Sequence, residues 1–175
     1  QTTSIFTSLY YDFDLNSKLT PYIGAGLGST DVQTDRNNGD KLGPLSGVIL
    51  GVKDSIPTKD ITTTNNSRLL KNWNPKRDAS VISRLKKAGA IIIGKTNLNE
   101  FGWSRPSELD LNPPPWSPWN SNHMSVGSSS GSGAATSARM VSASIGTDGG
   151  GSARLPAGAN NLYGMKPTHG LVSRL

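Results

Sequence analysis

The residues of this chain with the clearest chemical potential are one lysine and one serine that follows a run of glycines. Residues 149–151 are all glycine, so the hydroxyl of Ser152 lies beside backbone N–H groups that no side chain covers. Such groups can stabilise the oxyanion that forms when a hydroxyl attacks a carbonyl group. A serine needs a base for this attack, and Lys53, after the apolar residues 47–52, can serve if burial lowers its pKa. These residues predict acyl-transfer chemistry.

Two other kinds of site also use a glycine-rich loop or a serine. The dinucleotide and Walker patterns are absent, because no GxGxxG opens a helix after a strand and no GK[ST] occurs. A histidine base would have to pair His169 with Asp148, but His169 lies in a KPTHG turn with no evident carboxylate to orient it. A lysine base remains, although a lysine at a strand end is more often a surface residue. Position alone therefore leaves the role of Lys53 open.

The composition excludes or disfavours several further functions. The chain has 175 residues and no cysteine, which excludes disulfides, thiolate catalysis and cysteine-based zinc sites. Its 18 basic and 12 acidic residues are spread along the chain, so the net charge of +6 does not indicate a nucleic-acid surface. Neither His123 nor His169 has metal-ligand spacing around it. The apolar runs are too short for a membrane helix, and no signal peptide is visible. These features leave the localisation unknown, and the cytoplasm is favoured for residues 42–175.

Residues 1–41 form a segment with its own composition. Residues 2–13 are rich in threonine and aromatic residues and partly alternate, which predicts a strand. A turn cluster at residues 14–18 and a second predicted strand at residues 20–28 complete a β-hairpin. The phrase YYDFDLNSKLTPYIGAGLG resembles one hairpin of a bacterial outer-membrane β-barrel surface antigen. Residues 29–40 predict a polar linker, so this segment is either a fused piece of another gene or an N-terminal arm.

From residue 42 onward, strand and helix signals alternate. Residues 47–52 predict a short buried strand, and residues 90–94 predict a second one. Between them Asp78 predicts a helix N-cap, and apolar residues follow it at helical spacing. Residues 131–145 predict a helix of small residues that runs into a third strand. This succession favours an α/β fold for residues 42–175.

Several short motifs of this region occur together, and in this order, in one enzyme family. Two of them carry serines: GSSSGSG with Ser128 and GTDGGGSARLPA with Ser152, and their separation matches the family pattern without a gap. The other motifs are GVKDSI, TTNNS, DASVISRLKKAGAIIIGKTNLNEF, PWN and YGMKPTHGLVSR. Residues 42–175 therefore resemble the catalytic half of an amidase signature enzyme. Ser130 and the pair Ser125-Val126 depart from the usual pattern.

The resemblance implies a catalytic triad of two serines and one lysine. Ser152 would be the nucleophile that attacks the amide carbonyl, Ser128 would relay the proton, and Lys53 would be the general base. A cis peptide bond is implied directly after Ser128. The resemblance implies neither a cofactor nor a metal.

Further residues would support this triad. The oxyanion hole would be formed by the backbone N–H groups of the glycine run and the nucleophile: Gly149, Gly150, Gly151 and Ser152. Ser129 and Thr147 would be hydrogen-bonding positions behind the triad, and Asp148 would hold the loop.

The resemblance also implies a fold, a substrate class and two alternatives. The fold would be α/β with a mixed sheet flanked by helices, shortened here because family members continue well beyond Leu175. The reaction would be hydrolysis of a small-molecule amide through an acyl-enzyme on Ser152. The shortened chain is expected either to keep this activity or to be inactive. One alternative is the A subunit of a glutamyl-tRNA amidotransferase, which would need partner subunits and tRNA. The other is a non-catalytic fusion of an outer-membrane hairpin with an amidase remnant.

Overall fold

The computed structural model describes residues 4–8, 26–30, 43–103, 107 and 110–173. The chain divides into two units, Gln1–Leu42 and Gly43–Leu175. In the first unit, strand β1 (Ser4–Ser8) pairs antiparallel with strand β2 (Gly26–Thr30), as expected for a hairpin. The predicted turn at residues 14–18 and most of the predicted linker lie outside the described residues.

The second unit contains a parallel sheet with helices between its strands. In chain order its elements are strand β3 (Ile49–Lys53), helix α1 (Ser80–Lys87), strands β4 (Ile91–Thr96), β5 (Trp116–Ser117) and β6 (Asn120–Met124), helix α2 (Ser130–Ser137), strand β7 (Ala143–Ile145) and helix α3 (Arg154–Ala159). Strand β3 lies between β4 and β7, and all three strands run parallel. The predicted α/β class is confirmed. Strands β5 and β6 form a separate antiparallel pair outside this parallel sheet. No helix in the described part of the chain has the length and apolarity to cross a membrane.

Helix α1 covers one face of the sheet through a small apolar core. Val52 and Ile82 are fully buried and form a cluster with Ile56. Burial of each such side chain contributes about 1.5–3 kcal/mol to folding. The prediction of Asp78 as N-cap is wrong, because Ala79 holds that position and the Asp78 carboxylate accepts hydrogen bonds from the Lys59 backbone and the Lys86 ammonium instead.

Helix α2 lies close against the backbone at the end of β4. A Cβ atom at Gly131 would lie 2.3 Å from the backbone nitrogen of Asn97, so only glycine fits there. The N–H of Gly131 donates to the Asn97 carbonyl at 3.0 Å. The hydroxyls of Thr96 and Ser132 are 2.7 Å apart and join the strand to the helix a second time. The small residues of α2 therefore permit the approach that brings residue 128, just before the helix, to the sheet edge.

The carboxyl ends of the three parallel strands meet at one edge of the sheet. Lys53 is the last residue of β3, and Thr147 follows the last residue of β7 by two positions. In open α/β sheets, this edge is where binding and catalytic groups are usually found. The fold therefore places Lys53 and the glycine-rich loop after β7 side by side.

Candidate active site

Lys53 is a completely buried lysine at this edge. Its ammonium group donates to the Ser128 Oγ at 2.6 Å and to the Thr147 Oγ1 at 2.7 Å. Burial lowers the pKa of Lys53 from 10.5 to about 8, while the charge of Asp148 acts in the opposite direction. Lys53 is thus not a surface lysine, and it can lose its proton near neutral pH, as a lysine base requires.

Ser128 lies two residues before helix α2 and is almost completely buried. The cis peptide bond of this region joins Gly127 to Ser128, so the prediction that it follows Ser128 is wrong by one bond. A turn at Glu100–Gly102 covers the Lys53–Ser128 pair: a Cβ atom at Gly102 would lie 3.3 Å from the Ser128 Oγ and 3.9 Å from the Lys53 Nζ. Sequence analysis did not identify Gly102, because no local pattern links it to either residue.

A backbone hydrogen bond connects Ser152 to Ser129, the residue that follows Ser128. Its carbonyl accepts a hydrogen bond from the N–H of Ser129 at 3.0 Å. Ser129 also bonds the Thr147 backbone, because its hydroxyl donates to the carbonyl at 3.2 Å and accepts from the N–H at 3.3 Å. In the described part of the chain, the Ser152 hydroxyl itself forms no hydrogen bond, either with Ser128 or with another group. Proton transfer between the two serines stays a prediction.

The carboxylate of Asp148 orders the glycine-rich loop from inside. It accepts hydrogen bonds from the backbone N–H groups of Gly151 at 2.7 Å, Ala153 at 3.2 Å and Arg154 at 3.3 Å. The Arg154 guanidinium donates two more, at 2.9 Å and 3.1 Å. The Arg154 side chain holds the pKa of Asp148 well below its usual value against the opposing effect of burial, and the backbone donors contribute to the decrease. Asp148 is therefore ionised throughout the neutral range.

The backbone N–H groups of this loop divide into two sets. Within the described residues, those of Gly149, Gly150 and Ser152 have no acceptor, so they are available to a ligand oxygen. The N–H of Gly151 donates to Asp148 and is not free in this structure. Gly151 has a φ of 121°, a backbone conformation that favours glycine, so it shapes the loop.

We expect substitution of Asp148 by asparagine to impair the loop without unfolding the protein. An asparagine side chain at this position could no longer accept all five hydrogen bonds, so the free N–H groups would lose their alignment. The reaction of Ser152 with a fluorophosphonate should then slow by about 10²- to 10³-fold, the effect of losing one oxyanion donor. Asp60→Asn is the matched control, since Asp60 also lies beside a basic side chain, Lys59, but 78% of its own side chain is exposed. Equal rates for both variants would contradict a role for Asp148 in the loop.

Two open cavities of the described structure are not lined by Ser152. One, of about 200 Å³, is apolar and is lined by Val81, Arg84, Leu85, Leu171, Val172 and Ser173. The other, of about 320 Å³, is lined by residues with polar side chains: Asp54, Thr62, Thr64, Lys95, Thr96, Asn97 and Asn112. Ser152 is only partly buried. Neither cavity therefore encloses a substrate next to its hydroxyl.

Comparison with known proteins assigns this chain to a family. The model of the Amidase family matches residues 14–175, so the chain belongs to that family. The chloroplastic/mitochondrial glutamyl-tRNA(Gln) amidotransferase A subunit of Vitis vinifera is 46% identical over 144 residues, which are 82% of this chain and 26% of the relative. The match begins within the first unit, and the resemblance of residues 1–30 to an outer-membrane surface antigen is not borne out.

Solved structures of the same family share the fold of this chain. The glutamyl-tRNA(Gln) amidotransferase A subunit of Thermotoga maritima superposes with a TM-score of 0.73 and 43% identity, over 77% of this chain and 30% of that one. The peptide amidase of Stenotrophomonas maltophilia superposes with a TM-score of 0.70 and 38% identity, over 80% of this chain and 30% of that one. The chain spans about a quarter to a third of the length of the curated relatives it matches.

Proposed function

We propose that this chain carries the Ser-Ser-Lys machinery of an amide-bond hydrolase that works through an acyl-enzyme on Ser152. The observation that carries the proposal is the buried Lys53 ammonium group, 2.6 Å from the Ser128 hydroxyl. A lysine held in this way, with its pKa lowered by burial, has the property that a base needs. Membership of the Amidase family supports the same reaction class.

In the proposed steps, one proton moves from Ser152 to Lys53 and is then returned to the leaving group. The Ser152 Oγ attacks the amide carbonyl while its proton passes to Ser128, which gives its own proton to neutral Lys53. The free N–H groups of Gly149, Gly150 and Ser152 receive the oxyanion. The proton on Lys53 then returns through Ser128 to the leaving nitrogen, which departs as ammonia or an amine. Water attacks the Ser152 ester in the second half of the reaction and releases the acid.

Incubation of the chain with simple primary amides and hydroxylamine tests this proposal. An acyl-enzyme should be intercepted as a hydroxamate, with release of ammonia and a transient mass increase on the Ser152 peptide. Heat-denatured protein controls for uncatalysed aminolysis. If folded protein yields neither hydroxamate nor a Ser152 adduct with aliphatic, aromatic or peptide amides, the chain is not a hydrolase by itself.

The pH dependence of Ser152 reactivity provides a second test. Only neutral Lys53 can accept a proton, and its pKa is about 8, so the rate should rise with pH through that value. The neutral fraction grows about tenfold between pH 7 and pH 9 for a group with this pKa. The rate of fluorophosphonate labelling should rise by the same factor, after subtraction of probe hydrolysis measured in parallel. A profile that is flat over this range would argue against a lysine base.

The names of several relatives support a second candidate, the A subunit of a glutamyl-tRNA(Gln) amidotransferase. In that case the ammonia would come from glutamine and would be passed to a tRNA-bound acyl group with the help of partner subunits. The discriminating experiment adds the other subunits from a related amidotransferase, together with misacylated tRNA. Amide formation on the tRNA that depends on this chain would favour the second candidate, whereas hydrolysis of free amides without partners would favour the first.

A further inference from the structure

Lys95 is a second lysine whose side chain is largely buried, on the opposite face of the sheet from Lys53. In the register of the parallel strands, Lys95 lies opposite Val52 and Lys53 lies opposite Thr96. Because side chains alternate along a strand, Lys95 points to the face of Val52 and helix α1. Only 10% of its side chain is exposed. A charged group in such a place is costly unless it is well paired.

The Lys95 ammonium group has an acceptor for each of its three protons. It donates to the Ile56 carbonyl at 2.5 Å, the Thr58 Oγ1 at 3.1 Å and the Thr63 Oγ1 at 2.9 Å. Both threonines are fully buried. The Asp54 carboxylate lies 3.8 Å away and balances the charge. Lys95 thus binds the segment 54–66, which follows Lys53 directly, at several points.

Two short chains of backbone hydrogen bonds extend from this arrangement, one to Lys53 and one to the turn that covers it. The N–H of Ile56, whose carbonyl Lys95 binds, donates to the Lys53 carbonyl at 3.0 Å. The Asp54 carbonyl accepts from the N–H of Asn65 at 3.0 Å, and the Asn65 carbonyl accepts from the N–H of Phe101 at 2.9 Å. Phe101 belongs to the Glu100–Gly102 turn that covers the Lys53–Ser128 pair. Lys95 therefore supports both the backbone that carries Lys53 and the turn that shields it from water.

We propose that Lys95 is a positioning residue for Lys53: it holds segment 54–66 in the geometry that keeps the base buried and aimed at Ser128. The consequence of this positioning for catalysis rests on the proposed function. The effect of Lys95 on the burial and orientation of Lys53 does not depend on it. The acidic groups around Lys95 are Asp54 and Asp78. Those of the elements packed around Lys53 are Asp148, in the loop after β7, and Glu100, in the covering turn.

Titration of Lys53 by NMR tests the proposal without requiring activity. The intact chain is labelled with carbon-13 at the lysine Cε, and Lys53→Met identifies the Lys53 signal. In Lys95→Met, loosening of segment 54–66 should admit water, so the midpoint of Lys53 should rise by about one pH unit from its value near 8. Lys87→Met, which removes an exposed lysine from the last turn of helix α1, should leave the midpoint unchanged.

Two further variants keep the test decisive if Lys95→Met does not fold. The double variant Asp54→Asn/Lys95→Met removes both charges, and Thr63→Val removes one acceptor while keeping the shape of the side chain. Each should raise the Lys53 midpoint in a protein with native near-UV circular dichroism. An unchanged midpoint in these folded variants would overturn the proposal, because Lys95 would then only stabilise the fold.

Labelling of Ser152 by a fluorophosphonate separates this inference from the proposed function. If the wild-type chain reacts, Lys95→Met should react about tenfold more slowly at pH 7, because fewer Lys53 side chains are neutral. If the wild-type chain does not react but the Lys53 midpoint still rises in the Lys95 variants, the positioning role is upheld and the proposed hydrolase activity of this chain fails.

Discussion

Ser152→Ala should abolish the covalent reaction of this protein with a fluorophosphonate. The hydroxyl of Ser152 is the proposed nucleophile, and in the described structure it forms no hydrogen bond that would have to be broken before attack. Removal of the nucleophile in a serine hydrolase reduces the rate by about 10⁶-fold, so no labelled protein should be detectable by mass spectrometry. The loss of one hydroxyl from a partly exposed position should leave the unfolding midpoint nearly unchanged.

The matched control for this prediction is Ser83→Ala. Ser83 is exposed on helix α1, so its substitution also removes a single hydroxyl but should leave labelling intact. Ser128→Ala should retain slow labelling, because the nucleophile is present without its proton relay. Labelling of Ser152→Ala at the wild-type rate would show that another residue reacts, and the assignment of the nucleophile would be wrong.

Lys53→Met should slow the labelling of Ser152 by about 10²- to 10⁴-fold, the usual contribution of a general base. Methionine retains much of the length and volume of the lysine side chain, so it can fill the buried position while removing the amine. The Ser128 and Thr147 hydroxyls would lose their common partner. The residual rate should no longer rise through pH 8, because the group that titrates there is absent.

Two further variants show whether the amine acts as a base or only as a charge. Lys53→Arg keeps a positive charge but cannot give up its proton in a protein, so it should be as slow as Lys53→Met. Lys87→Met, in the exposed last turn of helix α1, should react at the wild-type rate. Wild-type reactivity in a folded Lys53→Arg protein would exclude Lys53 as the base.

Five elements of the second unit, β3, α1, β4, α2 and β7, were predictable because each depends on nearby residues. The apolar residues before Lys53 form most of β3, and the isoleucines after Ala90 begin β4. The range predicted as a helix and strand, 131–145, contains β7 and all of helix α2 except its first residue, Ser130. The N-cap was predicted at the wrong residue. Asp78 is a good capping residue by type. Its carboxylate instead accepts hydrogen bonds from the backbone N–H of Lys59, which is distant in sequence, and from the Lys86 ammonium group on the helix itself.

The sequence by itself determined the family and the candidate residues, because a glycine run before a serine and a lysine after an apolar strand are local patterns. Only the tertiary structure decided that Lys53 is buried against Ser128, since this contact joins residues from different strands and loops. It also decided that Gly102 covers the pair and that the Gly151 N–H belongs to Asp148. The contacts of Lys95 with segment 54–66 could not be predicted from the sequence for the same reason. Desolvation and hydrogen bonding of a side chain depend on which distant segments the sheet brings together. They cannot be predicted from the type or the spacing of residues in the sequence.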